Sequence, residues 1–434
     1  MLFERPDSGE RAVLVHLEFR RENTREDLGE FQELVYSAGG DPVDVVRGHR
    51  DAPHPRIFVG SGKLEEIRQA VIQHDAKLVL FNHVLSPSQE RNIEKELDCR
   101  VLDRTGLILD IFAQRARTYE GKLQVELAHL KHTSTRLVGG WTHLERQKGG
   151  AGLRGGPGEK QLELDRRMLR VRIQQITRSL EKVRKQRVQG RRGRSRADIA
   201  SISLVGYTNA GKSTLFNYLT GAEVYAADQL FATLDPTLRR INIPDLGPVV
   251  LADTVGFIRH LPHKLIEAFR ATLEEAVEAD LLLHVVDCAD GERSQNIEQV
   301  EHVLKEIGAD KIPVLEVYNK LDLITAEPRI DYDIDGRPVR VWLSAATGEG
   351  LPLLEKALAE CLGEDVVHGQ LLISPEQGRL RAAFYQQQVV VSESYNDQGD
   401  SELVVRVPKS DFCRLVSSSG LDPEQTLALL RPVN

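Results

Sequence analysis

One stretch constrains this chain more than any other: Gly206-Tyr207-Thr208-Asn209-Ala210-Gly211-Lys212-Ser213. It follows the apolar run Ile202-Ser-Leu-Val205 and precedes Thr214 to Thr220, which reads as a helix. Glycines in a loop between a strand and a helix let backbone N–H groups wrap a phosphate chain without side-chain clash. The helix start adds the positive end of its dipole. Lys212 is expected to reach the β- and γ-phosphates, and Ser213 to set its hydroxyl on Mg²⁺. Such a loop belongs in a parallel α/β sheet, with the ligand at the carboxyl ends of the strands.

Three further motifs, in order and each behind an expected strand, narrow the ligand to a guanine nucleotide. Asp253-Thr254-Val255-Gly256 follows Val249-Val-Leu-Ala252. An aspartate there can hold Mg²⁺ through water, and the Gly256 N–H can sense a γ-phosphate. Asn319-Lys320-Leu321-Asp322 follows Val314 to Tyr318. A carboxylate at Asp322 can accept both N1–H and N2–H of guanine, a donor pair that adenine lacks. Ser344-Ala345-Ala346 follows Val339 to Leu343, where a backbone N–H can bond guanine O6. The remaining Mg²⁺ ligand is expected in Phe231-Ala232-Thr233-Leu234-Asp235-Pro236-Thr237. Thr233 is preferred to Thr237, because Pro236 restrains the backbone just before the latter.

No catalytic residue is assigned. The position after Gly256 often carries a Gln that orients water; here it is Phe257, and no Gln occurs through Pro262. Intrinsic hydrolysis is expected to be slow unless a partner or an ion completes the site. Asn209 is a candidate to seat K⁺ in place of an arginine finger; a polar filler of the loop is the competing reading.

The net charge of −8 hides an asymmetry. Lys131 to Arg196 holds 19 Lys/Arg and 5 Asp/Glu, against 38 and 60 in the rest of the chain. A block so one-sided suggests a polyanion, most often nucleic acid; a charged coiled coil that touches nothing is the alternative. Leu123, Leu127, Leu130 and Leu137 share a helical face, and Leu162, Leu169, Ile176 and Val183 recur every seven residues beside Ile173 and Leu180. That pattern gives two antiparallel helices packed as a coiled coil. Eight glycines fall in residues 139–158 between them. Trp141, His143, Arg146, Lys148 and Arg154 lie in or beside this glycine-rich loop. Trp141, Arg146, Lys148 and Arg154 are the candidate RNA contacts, by stacking and by phosphate pairing.

Strands alternate with helices through residues 11–117, so a first parallel α/β domain is expected. Thr24 is expected to cap its first helix. The division expected is 1–118, an N-terminal α/β domain; 119–197, the basic hairpin with its loop and a linker from Gly190 to Arg196; 198–366, the P-loop domain; and 367–434, a small α+β domain. Val59-Gly-Ser-Gly-Lys63 resembles half a phosphate loop, but Ile57 stands where the pattern needs glycine, and it reads as a strand-to-helix turn, with an independent nucleotide site in this domain as the alternative. The cysteines, Cys99, Cys288, Cys361 and Cys413, form no CxxC pair. A reducing, cytoplasmic setting without a membrane span is expected.

Together with the guanine motifs, Gly155-Gly-Pro-Gly-Glu-Lys-Gln-Leu-Glu-Leu-Asp-Arg-Arg167 resembles the HflX family of translational GTPases. The resemblance runs from the Gly60 turn through the guanine motifs and is weaker after residue 370. It implies a protein that binds GTP and GDP, associates with the large ribosomal subunit, and splits stalled ribosomes, with hydrolysis governing release; separately, a monomer is expected. It also implies that the hairpin loop approaches the peptidyl-transferase rRNA. A phenylalanine at position 257 fits the family's hydrophobic substitution. A GTP-dependent assembly or signalling switch, with the coiled coil as a protein interface, is the competing function.

Overall fold

The computed structural model describes residues 9–19, 28–139, 157–195, 199–221, 230–244, 246–259, 270–363, 366–387, 389–396 and 399–430. The expected Thr24 cap and the expected contacts Trp141, Arg146, Lys148 and Arg154 lie outside these residues.

The chain forms two compact units, the second comprising residues 358–434 with 244–246. The first unit opens with β1 (Arg11–Phe19), α1 (Leu28–Ser37), β2 (Asp41–Arg50), α2 (Ser61–Gln73), β3 (Leu78–Phe81), α3 (Pro87–Leu97), β4 (Arg100–Asp103) and α4 (Arg104–Arg115). The strands pair in parallel in the order β2-β1-β3-β4. Both faces are covered. Along β1, Ala12 and Leu14 enter a core with Phe31, Ile108 and Phe112, while Val13 and Val15 enter one with Leu64, Ile67 and Ile93. A strand buried on both faces shows a continuous apolar run rather than alternation, as Ala12 to Leu17 does. Ser86 begins α3 with a capping box, its hydroxyl accepting from Gln89 N and Gln89 Oε1 accepting from Ser86 N.

Next come α5 (Tyr119–Gly139) and α6 (Pro157–Ser195). Leu123, Leu127, Leu130 and Ile176 are buried between them, with Leu169, Ile173 and Leu180 packed alongside. The expected linker from Gly190 is not a linker in the structure: α6 runs unbroken to Ser195. A helical glycine costs only about 1 kcal/mol, and the arginines around Gly190 and Gly193 are good helix formers.

The second sheet is built from β5 (Ser201–Val205), α7 (Lys212–Thr220), β6 (Thr237–Ile243), β7 (Gly247–Asp253), α8 (Arg270–Val277), β8 (Leu281–Asp287), α9 (Arg293–Ile307), β9 (Val314–Asn319), β10 (Arg329–Tyr332), β11 (Pro338–Trp342) and α10 (Leu351–Leu362). Its order is β10-β11-β9-β8-β5-β7-β6. The five middle strands are parallel and the two edges antiparallel. The chain between β6 and β7 is too short for a crossover, so β6 must turn back beside its successor. Val205, Leu230, Phe231, Phe257 and Leu282 join the same core as Phe31 and Phe112, so the two sheets of this unit share one apolar interior.

In the second unit, β12 (Val366–Ile373), α11 (Gly378–Gln386), β13 (Val390–Tyr395), β14 (Ser401–Pro408), α12 (Lys409–Ser418) and α13 (Pro423–Ala428) form an antiparallel sheet of order β12-β14-β13. Its core includes Leu371, Leu380, Phe384, Leu403, Val405 and Phe412. The sequence suggests strands at Gln388 to Ser394 and Leu403 to Val407; the third, β12, is harder to read because His368 and Gly369 interrupt its apolar run.

Candidate functional site

The loop Gly206 to Ser213 joins β5 to α7 at the carboxyl edge of the parallel strands. Gly206 has φ +144°, and a Cβ there would lie 2.3 Å from the carbonyl oxygen of Val285. Gly211 has φ +92°, and a Cβ would lie 2.2 Å from Asn319 Nδ2. Neither position tolerates a side chain. Lys212 is buried, and its Nζ donates to the carbonyls of Gly206 (3.1 Å) and Tyr207 (2.7 Å).

The structure brings Ser213, Thr233 and Asp253 together. Ser213 Oγ lies 2.8 Å from Thr233 Oγ1; the two hydroxyls lie 2.8 and 2.9 Å from Asp253 Oδ2. Two hydroxyl protons cannot bridge all three contacts. The separation of the two hydroxyls is close to the roughly 3 Å edge expected between neighbouring Mg²⁺ ligands with bonds of about 2.1 Å, and Asp253 Oδ2 lies beside both, where it could hold a water on such an ion. Asp253 Oδ1 and Thr208 Oγ1 are buried and lack a hydrogen-bond partner among the described residues. Burial pushes the Asp253 carboxyl above the ordinary range, with Lys212 and the two hydroxyls opposing. A cavity of about 60 Å³ adjoins this cluster, lined by Thr208, Asn209, Gly211 to Thr214, Phe231 to Thr233, Thr254 and Gly256. Hard oxygen donors, orphaned polar atoms and an adjacent loop of backbone N–H groups suit a divalent cation with phosphates.

The base-side motifs converge from another edge. Asn319 acts as a clip: its Nδ2 donates to Ala210 O (2.9 Å) and its Oδ1 accepts from Ala345 N (2.8 Å). Ser344 Oγ donates to Asp322 Oδ1 at 2.5 Å, aiming that exposed carboxylate. Lys320, in the left-handed region at φ +66°, pairs with Asp287 at 2.7 Å. Leu321 is buried below them, and Ala346 follows in the same turn.

Some candidate side chains point elsewhere. Thr254 spends its hydroxyl on Leu204 O (2.6 Å). Val255 and Leu234 are buried in the core. The Asp235 carboxylate lies at the start of α5, where it accepts from the backbone of Arg117 and Thr118. Phe257, 1% exposed, is a rivet: its N–H donates to Gly206 O and its carbonyl accepts from Thr208 N. It offers water no polar group. Asn209 takes a positive φ of 62°, which asparagine tolerates better than most residues.

Four neighbours of the site escape sequence reasoning. Glu30 of α1 accepts hydrogen bonds from Tyr207 Oη and from Arg104. Arg104 also donates to Arg259 O, and Arg259 N donates back to Tyr207 Oη at 2.9 Å. The N-terminal sheet is thereby tied to both the phosphate loop and the segment after Gly256. On β8, burial and the Lys212 charge push His284 down to about 4, so it is neutral near pH 7. No local pattern announces these residues; Glu30 and Tyr207 are 177 positions apart.

Burial lowers Lys212 to about 8 against the pull of Asp253. Phosphates would restore its charge, so binding must take up a proton wherever the free amine is neutral. The expected uptake per triphosphate is larger at pH 8.5 than at pH 7.5. Affinity should begin to fall above pH 8. Titration calorimetry in buffers of different ionisation heat reads this directly, and equal uptake at both pH values would refute it.

Three families match in series: "GTP-binding GTPase N-terminal" over residues 25–113, "GTP-binding GTPase Middle Region" over 115–194, and "50S ribosome-binding GTPase" over 201–320. The GTPase HflX of Escherichia coli strain K12 is 60% identical over 415 residues, 95% of this chain and 97% of its own length. The GTPase HflX of Magnetococcus marinus is 45% identical over 88% of this chain and 87% of its own. A crystal structure of a GTP-binding protein from Sulfolobus solfataricus with GDP superposes over 82% of this chain and 99% of that one, with a TM-score of 0.44 at 25% identity. Phosphate loop, guanine motifs, and identity along nearly the whole length agree: the chain binds and hydrolyses GTP and belongs to the HflX family of GTPases.

Proposed function

We propose that this GTPase binds the large ribosomal subunit and splits stalled ribosomes, acting as a monomer in the cytoplasm. Ser213 and Thr233 would hold Mg²⁺ directly and Asp253 through water, and the ion would neutralise charge on the phosphates. Lys212 holds the β- and γ-phosphates, and Asp322 reads the guanine edge. The family description of residues 201–320 as a 50S ribosome-binding GTPase supports the partner.

The observation that carries this reading is the outer face of α6. Arg167, Arg170, Arg178, Lys182 and Lys185 are exposed and make no ion pair among the described residues. Their apolar counterparts Ile173, Ile176 and Leu180 are spent on α5. The seam of this helix, about 58 Å long, is already spent on α5, and its opposite face carries these cations, suited to RNA phosphates, beside exposed Leu164, Met168 and Val171. The hairpin loop then extends toward the peptidyl-transferase rRNA, with Trp141, Arg146, Lys148 and Arg154 as its contacts.

The test is sedimentation with purified large subunits. Protein loaded with a non-hydrolysable GTP analogue should pellet with them, and less should pellet at higher salt. Because Phe257 cannot orient water, free protein should turn over slowly and large subunits should accelerate it. An unchanged rate at saturating subunits would overturn this activation. Exchanging K⁺ for Na⁺ addresses Asn209 separately: a K⁺ seat requires a slower rate in Na⁺.

A further inference from the structure

The carboxylate of Asp235 lies at the N-terminus of α5, two residues from Thr233 in the switch segment. Its Oδ2 accepts from the N–H groups of Arg117 and Thr118, both at 2.8 Å, and its Oδ1 accepts from Thr118 Oγ1 at 2.5 Å. Thr118 Oγ1 in turn accepts from Gly121 N at 2.9 Å. A helix start holds unpaired N–H donors and a partial positive charge. Thr118 thus caps the first hairpin helix with its own hydroxyl, and a switch-segment carboxylate fixes that capping residue from outside the helix.

Gly121 makes room for it. A Cβ at that position would lie 2.0 Å from Asp235 Oδ1, so any side chain would evict the carboxylate. On the other side of Thr233, Leu230 N donates to Ser37 Oγ at 3.1 Å. The Phe231 ring meets Phe112 edge-on, centroids 4.6 Å apart. Thr233 is therefore slung between two anchors, both set in the N-terminal part of the unit. Two residues of chain reach no more than about 7 Å, and the residue before Pro236 is confined to extended backbone. Thr233 cannot withdraw far from Ser213 and Asp253 while Asp235 keeps its place.

We propose that Asp235 is a positioning residue that couples occupancy of the metal–triphosphate site to the hairpin. With α5 capped, Thr233 is held where a cation beside a γ-phosphate would meet it. With triphosphate bound, the same tether fixes the start of α5. Coupling between two equilibria is reciprocal, so each favours the other by the same factor. The inference rests on Thr233 as a metal ligand.

The test uses the full chain with Asp235→Ala, Gly121→Ala, Asp235→Asn and Thr233→Ala. Fluorescent GTP-analogue and GDP affinities are measured with Mg²⁺, and hydrogen exchange is followed over residues 117–122. Asp235→Ala and Gly121→Ala should each weaken the GTP analogue by about tenfold, a shift of 1.4 kcal/mol, and GDP by less than about twofold. Both should abolish the extra protection at residues 117–122 that the analogue gives over GDP. Asp235→Asn keeps an acceptor and should recover part of both effects. Gly121→Ala improves intrinsic helix propensity, so its expected loss of coupling cannot be put down to a weaker helix. If Thr233→Ala weakens the analogue while Asp235→Ala and Gly121→Ala behave as wild type, the coupling is wrong and the metal ligand stands. If Thr233→Ala changes nothing, the metal assignment fails. Equal protection of residues 117–122 by analogue and GDP in the unmodified chain overturns the coupling in either case.

Discussion

Asp322→Asn is expected to lower GTP affinity by roughly 100-fold or more and to admit xanthosine triphosphate. Two hydrogen bonds to a charged acceptor are worth about 1.5–3 kcal/mol each, and the substituted amide opposes one donor to another. Xanthine presents a carbonyl where guanine has its amine, so the amide N–H₂ regains a partner. Ser344 should keep the substituted side chain aimed, since its hydroxyl already donates to the Oδ1 that asparagine retains. Competition binding with the two triphosphates reads the exchange. Unchanged GTP affinity would remove Asp322 from the base site.

Deleting Gly149 to Gly156 should leave GTP affinity within about twofold and cut ribosome splitting by at least about tenfold. The deleted residues lie outside all four guanine motifs, and glycine-rich loops contribute little to a folded core. Light scattering follows dissociation, with nucleotide binding measured in parallel. Charge reversal at Arg154 should weaken subunit binding, and the deficit should shrink as salt rises. A deleted protein that splits ribosomes at the normal rate would move the RNA contact to the exposed cations of α6.

The site was readable where chemistry demands a local backbone. A loop around phosphates needs glycine at 206 and 211, whose φ values and neighbours admit nothing else. Of the two threonines, Thr233 meets Ser213 and Asp253, while Thr237 opens β6. The parallel strands were readable because burial on both faces writes continuous apolar runs. Contacts across the chain were hidden. Nothing near Asp235 hints that its partners are Arg117 and Thr118, and nothing near Arg104 hints at Arg259, 155 residues away. The basic stretch from Gly190 misled for another reason. Glycine marks a break only where flanking residues do not favour the helix, and here arginine does.

The capped start of α5 also has a mechanical side. With 21 residues, the helix is about 31 Å long; Asp235 meets its start, and Arg136 near its far end pairs with Glu90 and Asp103. Between these two ends Val125 and Ala128 are set in the core with Phe31 and Phe112. A rod fastened at both ends and along its length does not swing at its tip. A push at its root is shared with the close-packed interior on which it lies, so the hairpin's first helix is a strut of the N-terminal layer.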